Sequence, residues 1–399
     1  MKKQFMFAAL AVGLLSSCSN ENESVSVNQP EAGRELIQLG VSNGNALSVS
    51  TRGTGMVGDT VNASWNGQVL NIMMVNQGTL TPASDKDGEG NELGSIMYNV
   101  QLIAPTNGTS TGYITGVESM SKQYYYYPTV GNFDFYGYHA DDAFAEGQSE
   151  FVPYVDPTNA DQLLIDVKID GSQDLMTAKA DFSVDVLDAT KEGIWEGRNY
   201  SSYAARRDVQ PTLKFNHLLT KLNFKVVAAE EPVIDEENDV NTSIYIEKIE
   251  VNSLANGQMV VANAAGELPS IINWTDEETV PMEVKEKVEG ETLLQALTPV
   301  AITTEGNKIG EGLLVAPNVT EYTGTIYMRQ QPAGATEGLL KPVPMTIQIP
   351  SNAGSATFAA GTAYDVTITL YGIQEIKVTT ELTPWNKGED LPLIPEDQI

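Results

Sequence analysis

Several groups of residues in this chain have types and spacings that chemistry could use. Gly108-Thr109-Ser110-Thr111-Gly112 has the G-x-S-x-G spacing of a nucleophile elbow, where a strand delivers a serine to a sharp turn and a helix follows. Here Pro105 and Asn107 precede the serine and the strand-like Tyr113-Ile114-Thr115 comes after it, so a hairpin turn is the better reading. The chain has 2 histidines, His139 and His217. His217 falls on the apolar parity of a strand, the place of a satisfied core histidine. His139 lies beside Asp141 and Asp142, with too few further ligands in view for a metal centre. Asp85, Asp87 and Glu89 hint at calcium, but the loop's twelfth position is Ile96, where an EF-hand needs a bidentate glutamate. A solvated acidic loop is expected there. Tyr124 to Tyr127 offer rings on which a sugar could stack, but in a strand the run alternates faces, two rings toward the core and two at the rim. These groups predict no catalytic residue, no metal and no cofactor.

Cys18 is different. It is the only cysteine, and it closes a segment with Lys2 and Lys3 at its start and an apolar run from Phe5 to Leu15. That run is short for a bilayer span and has the layout of a secretory signal peptide, residues 1–17. Its end, Leu15-Ser16-Ser17-Cys18, resembles the lipobox of bacterial lipoproteins, in which the cysteine is acylated and becomes the mature N-terminus. Cys18 is therefore the expected lipidation site, and an ordinary signal peptide with a chance cysteine is the alternative. With Cys18 committed to lipid, neither a disulfide nor a cysteine nucleophile is available. Acyl chains, at roughly 0.8 kcal/mol per buried methylene, supply the membrane attachment that no later apolar run is long enough to give.

Charge narrows the partners. The chain of 399 residues carries 23 basic and 53 acidic side chains, and removal of Lys2 and Lys3 with the leader leaves a balance of about −32. Such a field repels nucleic acid and anionic headgroups, which excludes nucleic acid as a partner. At 41% hydrophobic residues the chain can form a large core, and its length suits two domains.

The elements that must position these groups are short and extended. Residues 18–34 form a polar, acidic tether. In Glu35 to Val41, Ile37, Leu39 and Val41 share one parity, the pattern of a half-buried strand. Strands are then predicted at Val69–Asn76, Ile96–Ala104, Gly112–Val117, Lys122–Tyr127, Phe133–Tyr138, Leu163–Ile169 and Phe182–Leu187. In the second half they are predicted at Ile244–Val251, Gln258–Ala262, Leu293–Val300, Gly324–Arg329, Pro344–Ile349, Tyr364–Leu370 and Ile376–Leu382. In PTLKFNHLLTKLNFKVV the apolar parity switches near Leu218, which calls for a bulge or bend. No segment keeps helical periodicity for three turns, so the expected class is an all-β sandwich architecture. The division is drawn as residues 35–207 and 208–386, with a tail at 387–399.

Several separated stretches resemble the fimbrillin-like family of Bacteroidales, the pilins and accessory subunits of type V pili. The clearest are FAAGTAYDVTITLYGIQEIKVTTELTPWNKGED, which ends at Trp385 and beyond, and LKFNHLLTKLNFKV. DLMTAKADF and YYYYPTVGNFDFYGYHADD match weaker family patterns. The acidic stretch after Cys18 also resembles the surface-export signal of Bacteroidales lipoproteins, and Asp59-Thr60-Val61 resembles their O-glycosylation sequon, which would place a glycan on Thr60. The resemblance implies two tandem transthyretin-like β-sandwich domains and a surface-exposed, lipid-anchored protein of the outer membrane that passes into a fimbrium. In stalk subunits of the family a protease cuts after an arginine in the loop following the first strand. The vacated groove then takes a C-terminal strand from a neighbouring subunit. The matching arginine here is Arg52, with Arg34 an earlier alternative upstream of the strand.

The energetics suit such an exchange. Losing the first strand exposes about three apolar side chains at roughly 1.5–3 kcal/mol each, plus ladder bonds at ~1 kcal/mol each. That is comparable with a domain's whole stability, so the vacated groove demands a replacement strand from another subunit. The tail departs from the donor pattern, because Leu391, Leu393 and Ile394 are interrupted by Pro392 and Pro395. Tip, accessory and stalk roles therefore all remain open, and Ile376–Leu382 is an alternative donor. The rival reading is a monomeric surface lipoprotein of the same fold that binds a glycan. The adhesion receptor is not indicated by any motif.

Overall fold

The computed structural model describes residues 35–43, 68–84, 97–104, 125–186, 194–229, 242–291, 293–332, 338–350, 355–372 and 375–383. Cys18, Arg34, Arg52, Thr60, Ser110 and the Asp85–Glu89 loop lie outside them.

Nearly all the regular structure of the described chain is strand, as its pattern predicts. The first part comprises β1 (Gly40–Asn43), β2 (Val69–Asn76), β3 (Val100–Ile103), β4 (Phe133–His139), β5 (Tyr154–Val155), β6 (Gln162–Lys168), β7 (Met176–Ala180) and β8 (Thr212–His217). Then come β9 (Thr220–Ala228), β10 (Thr242–Ser253), β11 (Asn256–Asn263), β12 (Ile272–Trp274), β13 (Val280–Glu283), β14 (Lys285–Glu286), β15 (Gln295–Ala296) and β16 (Val300–Ala301). The last are β17 (Asn307–Val315), β18 (Glu321–Pro332), β19 (Leu339–Gln348), β20 (Thr362–Gly372) and β21 (Glu375–Thr383).

A six-stranded sheet, β1-β8-β7-β4-β2-β3, faces a four-stranded one, β12-β11-β6-β5. The Tyr136 hydroxyl ties them by donating to the Asn263 carbonyl at 2.5 Å. The second sandwich sets β13-β10-β18-β19, with β16 on β10, against β17-β9-β20-β21. The six-stranded sheet is covered on both faces, which explains why β2 and β4 read as near-continuous apolar runs. Leu70, Ile72, Met74, Phe133 and Phe135 enter one core, while Met73, Val75, Tyr136 and Tyr138 enter the other. That second core continues without a break through Leu222, Ile326 and Val366 of the second sandwich.

The parity switch near Leu218 is the place where the chain changes sheets. β8 ends the first sandwich's share at His217, and β9 begins in the other at Thr220. Two sheets draw strands from both sides of the division expected at 207/208: β8 pairs with β7, and β11 returns to pair with β6.

Some expected elements differ. The described part of the expected strand Phe182–Leu187 is not extended, because Phe182–Asp185 forms one helical turn. Asp181 caps it by accepting from the Ser183 amide at 3.0 Å and hydroxyl at 2.6 Å, which outweighs the weak extended pattern. A second turn, Ser202–Ala205, is capped by Ser201. Leu293–Val300 keeps only the two-residue strands β15 and β16, separated by Pro299, whose missing N–H cannot join a ladder. In Lys122–Tyr127 the described part makes a single bridge, Tyr126 to Leu36. β7 and β17 were not predicted; β17 carries Gly310 at φ +60 within a register shift, which breaks its alternation.

Candidate functional site

The segment Glu35–Asn43 is held largely through its backbone. It starts against residues 125–127 and ends as β1, parallel to β8 from Gly40↔Thr212 to Asn43↔Phe215. Backbone bonds fix its start: Ile37 N–H donates to Tyr125 C=O at 2.8 Å, and Tyr127 N–H donates to Glu35 C=O at 2.9 Å. Ile37 and Leu39 are buried in the same core as Leu213, Phe215, Phe135 and Tyr127. Leu36 and Gln38 on the other parity are half-buried.

Gln210 supplies the other wall. Its Oε1 accepts from the Gln38 amide at 3.2 Å and its Nε2 donates to the Leu36 carbonyl at 3.3 Å. The side-chain amide thus imitates a neighbouring strand and reads backbone rather than side chains. The Tyr127 hydroxyl reaches the same Oε1 at 3.4 Å. Glu35 faces the Arg206 guanidinium at 3.8 Å, where Arg198 and Arg207 also lie against the Tyr203 ring at 4.0 and 3.6 Å. No motif singles out Gln210; the sequence marks its neighbourhood only by the division expected at 207/208.

The tyrosine run thus serves through its backbone. Tyr126 and Tyr127 are both buried and Tyr125 is half-buried, so the described rings do not alternate between core and rim. Tyr127 packs its edge on Phe135, ring centres 5.9 Å apart, and burial raises its pKa.

The histidines meet at one end of the six-stranded sheet, because Met176 pairs with His139 on one side and His217 on the other. His217 Nδ1 lies 2.9 Å from Asp174 Oδ1, both side chains buried. His139 Nδ1 contacts the Val69 carbonyl at 2.9 Å and Nε2 lies 3.1 Å from Asp141 Oδ1. The Asp174 amide donates to Asp141 Oδ2 at 2.9 Å, joining the pairs. Asp141 reaches this position at φ +43, a conformation Asp tolerates better than most residues. Burial alone would lower the His139 pKa, but the Asp141 charge and hydrogen bond, the Val69 carbonyl and Asp174 together raise it to about 9. Among the described residues no group of three or more His, Cys, Asp or Glu is arranged to hold a metal ion. The cluster ties strands together where the sheet turns toward the second sandwich.

At the other extreme of the chain, β21 is an edge strand paired only with β20 among the described residues. From Lys377 to Leu382 none of its side chains is buried. Also among the described residues, no helix is long and apolar enough to cross a membrane.

A fimbrillin-like family model matches residues 54–385. None of the curated proteins matches the chain. Among solved structures, the chain is similar to a candidate cell adhesion protein from Bacteroides uniformis at 16% identity and TM-score 0.43, covering 90% of this chain and 100% of that one. It is also similar to the fimbrial anchor protein Mfa2 from Porphyromonas gingivalis at 9% identity and TM-score 0.32, covering 89% and 100%. Candidate polysaccharide binding proteins from Bacteroides thetaiotaomicron match at 8% identity and TM-score 0.29, covering 87% and 98%.

Proposed function

Since the chain belongs to the fimbrillin-like family, and so is a fimbrial or adhesin-like structural subunit, we propose that it is exported as a lipoprotein on Cys18 and joins a surface fimbrium by strand exchange after a cut at Arg52. One observation carries this reading. Glu35–Asn43 lies between Arg34 and Arg52 in sequence, and it fills the edge of the first sandwich through backbone bonds and two buried side chains.

That placement distinguishes the arginines. A cut after Arg34 removes the lipid but leaves the strand covalently attached. A cut after Arg52 leaves it held by non-covalent contacts alone. Ile37 and Leu39 are worth roughly 1.5–3 kcal/mol each by burial, and each ladder bond adds ~1 kcal/mol. The strand can therefore be lost, and the opened groove favours any strand able to restore those contacts. Partners on this reading are other fimbrial subunits, with the outer membrane as the initial anchorage. Thr60, eight residues beyond Arg52, would keep its glycan on the assembled subunit.

Treatment of the purified chain with an arginine-specific protease tests this. A new N-terminus at Gly53 followed by polymers supports it. A start at Glu35, or an uncut monomer that retains glycan, refutes it and favours a monomeric glycan-binding lipoprotein.

A further inference from the structure

Between Ile194 and Asp208 the chain places 3 of its 6 arginines, and two of them share one ring. The Arg198 Cζ lies 4.0 Å from the centre of the Tyr203 ring and the Arg207 Cζ 3.6 Å. Two planar guanidiniums that close to one ring centre would overlap on a single face, so they stack on opposite faces. Their carbons are then no more than 7.6 Å apart, the two distances added. Each guanidinium is also held by one backbone bond. Arg198 Nε donates to the Ile194 carbonyl at 2.8 Å, which leaves its two terminal nitrogens. Arg207 Nη1 donates to the Tyr203 carbonyl at 3.2 Å, which leaves Nε and Nη2. The turn beneath them is firmly seated, because Ala204 and Ala205 are buried and Ser201 caps it.

What these two forks lack is a carboxylate. Lys179, Lys248, Lys285 and Arg329 each hold an acidic side chain, and Arg206 has Glu35. Among the described residues Arg198 and Arg207 have no acidic partner, in a chain with 53 acids to 23 bases. Both are exposed, and their mutual repulsion across the ring is relieved when anions bind. A planar fork takes a carboxylate in two parallel bonds, which an ammonium cannot copy. The surroundings narrow the anion further. Glu196 and Asp208, the exposed acids next in sequence to Trp195 and Arg207, oppose a polyacidic peptide but accept from hydroxyls. Half-buried Trp195, its ring centre 6.2 Å from that of Tyr203 and nearly perpendicular to it, and exposed Ile194 add apolar surface for the C–H face of a sugar. We propose that Arg198, Tyr203 and Arg207 form a binding site for an acidic polysaccharide. Each guanidinium takes a uronate carboxylate of one sugar chain, and Glu196 and Asp208 accept from its hydroxyls. The site needs neither a cut at Arg52 nor a second copy, so it stands or falls apart from strand exchange.

Isothermal titration calorimetry of the uncut full chain with polygalacturonate, at fixed ionic strength, tests this. Saturable binding is expected, with none to neutral dextran. Arg198→Ala and Arg207→Ala should each weaken binding at least ~10-fold, the loss of one charge-assisted contact. Arg206→Ala, which removes the arginine that already faces Glu35, should change it less than ~2-fold. The pair Arg198→Lys with Arg207→Lys keeps the charge but removes the forks, and should still bind several-fold more weakly than the parent. Urea midpoints establish that each variant is folded, and if an alanine variant is not, the lysine pair decides. No binding to polygalacturonate, unchanged binding by the alanine variants, or parent-like binding by the lysine pair overturns the proposal. Tighter binding of polyglutamate than of polygalacturonate, at equal carboxylate concentration, overturns it in favour of an acidic protein segment.

Discussion

Truncating Leu39 separates the contribution of the first strand's side chains from that of its backbone. Leu39 is 3% exposed and sits in a core with Leu213, Phe215 and Phe135, so Leu39→Ala removes packed volume without touching the ladder. The cost of such a deletion is roughly 2–5 kcal/mol, depending on how far the site collapses. In the uncut chain this appears as reduced folding stability, read from the midpoint of urea denaturation. After a cut at Arg52 the same energy becomes lost affinity for a non-covalent strand. At about 1.4 kcal/mol per decade, retention of the released segment should fall by roughly 30- to 4,000-fold. Mass spectrometry of the segment released over time after the cut measures this. Gln38→Ala is the internal control: its half-buried side chain leaves the N–H to Gln210 in place, so retention should change by less than about 0.5 kcal/mol. If Leu39→Ala releases the segment no faster than Gln38→Ala, the strand is not anchored through its sockets and the energetic basis of the exchange fails.

Other consequences concern the scaffold. His139 has a pKa raised from 6.5 to about 9 in the fold, so its contribution is fully present below pH 6.5 and is lost as pH rises through 9. Stability should fall by ~3 kcal/mol across that window, and urea midpoints of His139→Gln should show a much shallower decline. Gly171 sits at φ +96, where an added Cβ would meet Leu313 Cδ1 at 2.5 Å and Met282 Cβ at 3.3 Å. Gly171→Ala should therefore cost ~1–3 kcal/mol in a thermal melt, by forcing apart the turn that accepts from the Leu314 amide. The Tyr200 hydroxyl donates to Asp185 at 2.6 Å, and burial raises that carboxyl's pKa. Tyr200→Phe keeps the edge contacts with Phe135 and Phe182 but should cost ~1–3 kcal/mol by denaturant titration, because Asp185 keeps only part of its bonding, from Thr212.

Much of the fold was written in local pattern. The sequence alone determined the strand class, since β2 and β4 are apolar runs of strand length and the Gly, Pro and Asn turns leave no room for long helices. It marked Leu218 as a place of change, because alternation fixes which face each residue presents. It also placed Ile37 and Leu39 on one buried parity, and His217 in the core. What it could not supply was partnership. A period of two says that a strand has a buried face and is silent about which strand lies beside it, so only the tertiary structure showed β11 returning to β6 and β8 staying with β7. Asp174 and His217 are 43 residues apart in sequence, and nothing local announces their pairing. The same is true of Gln210, 172 residues from Gln38, whose amide reads backbone and so imposes no requirement on the side chain it meets.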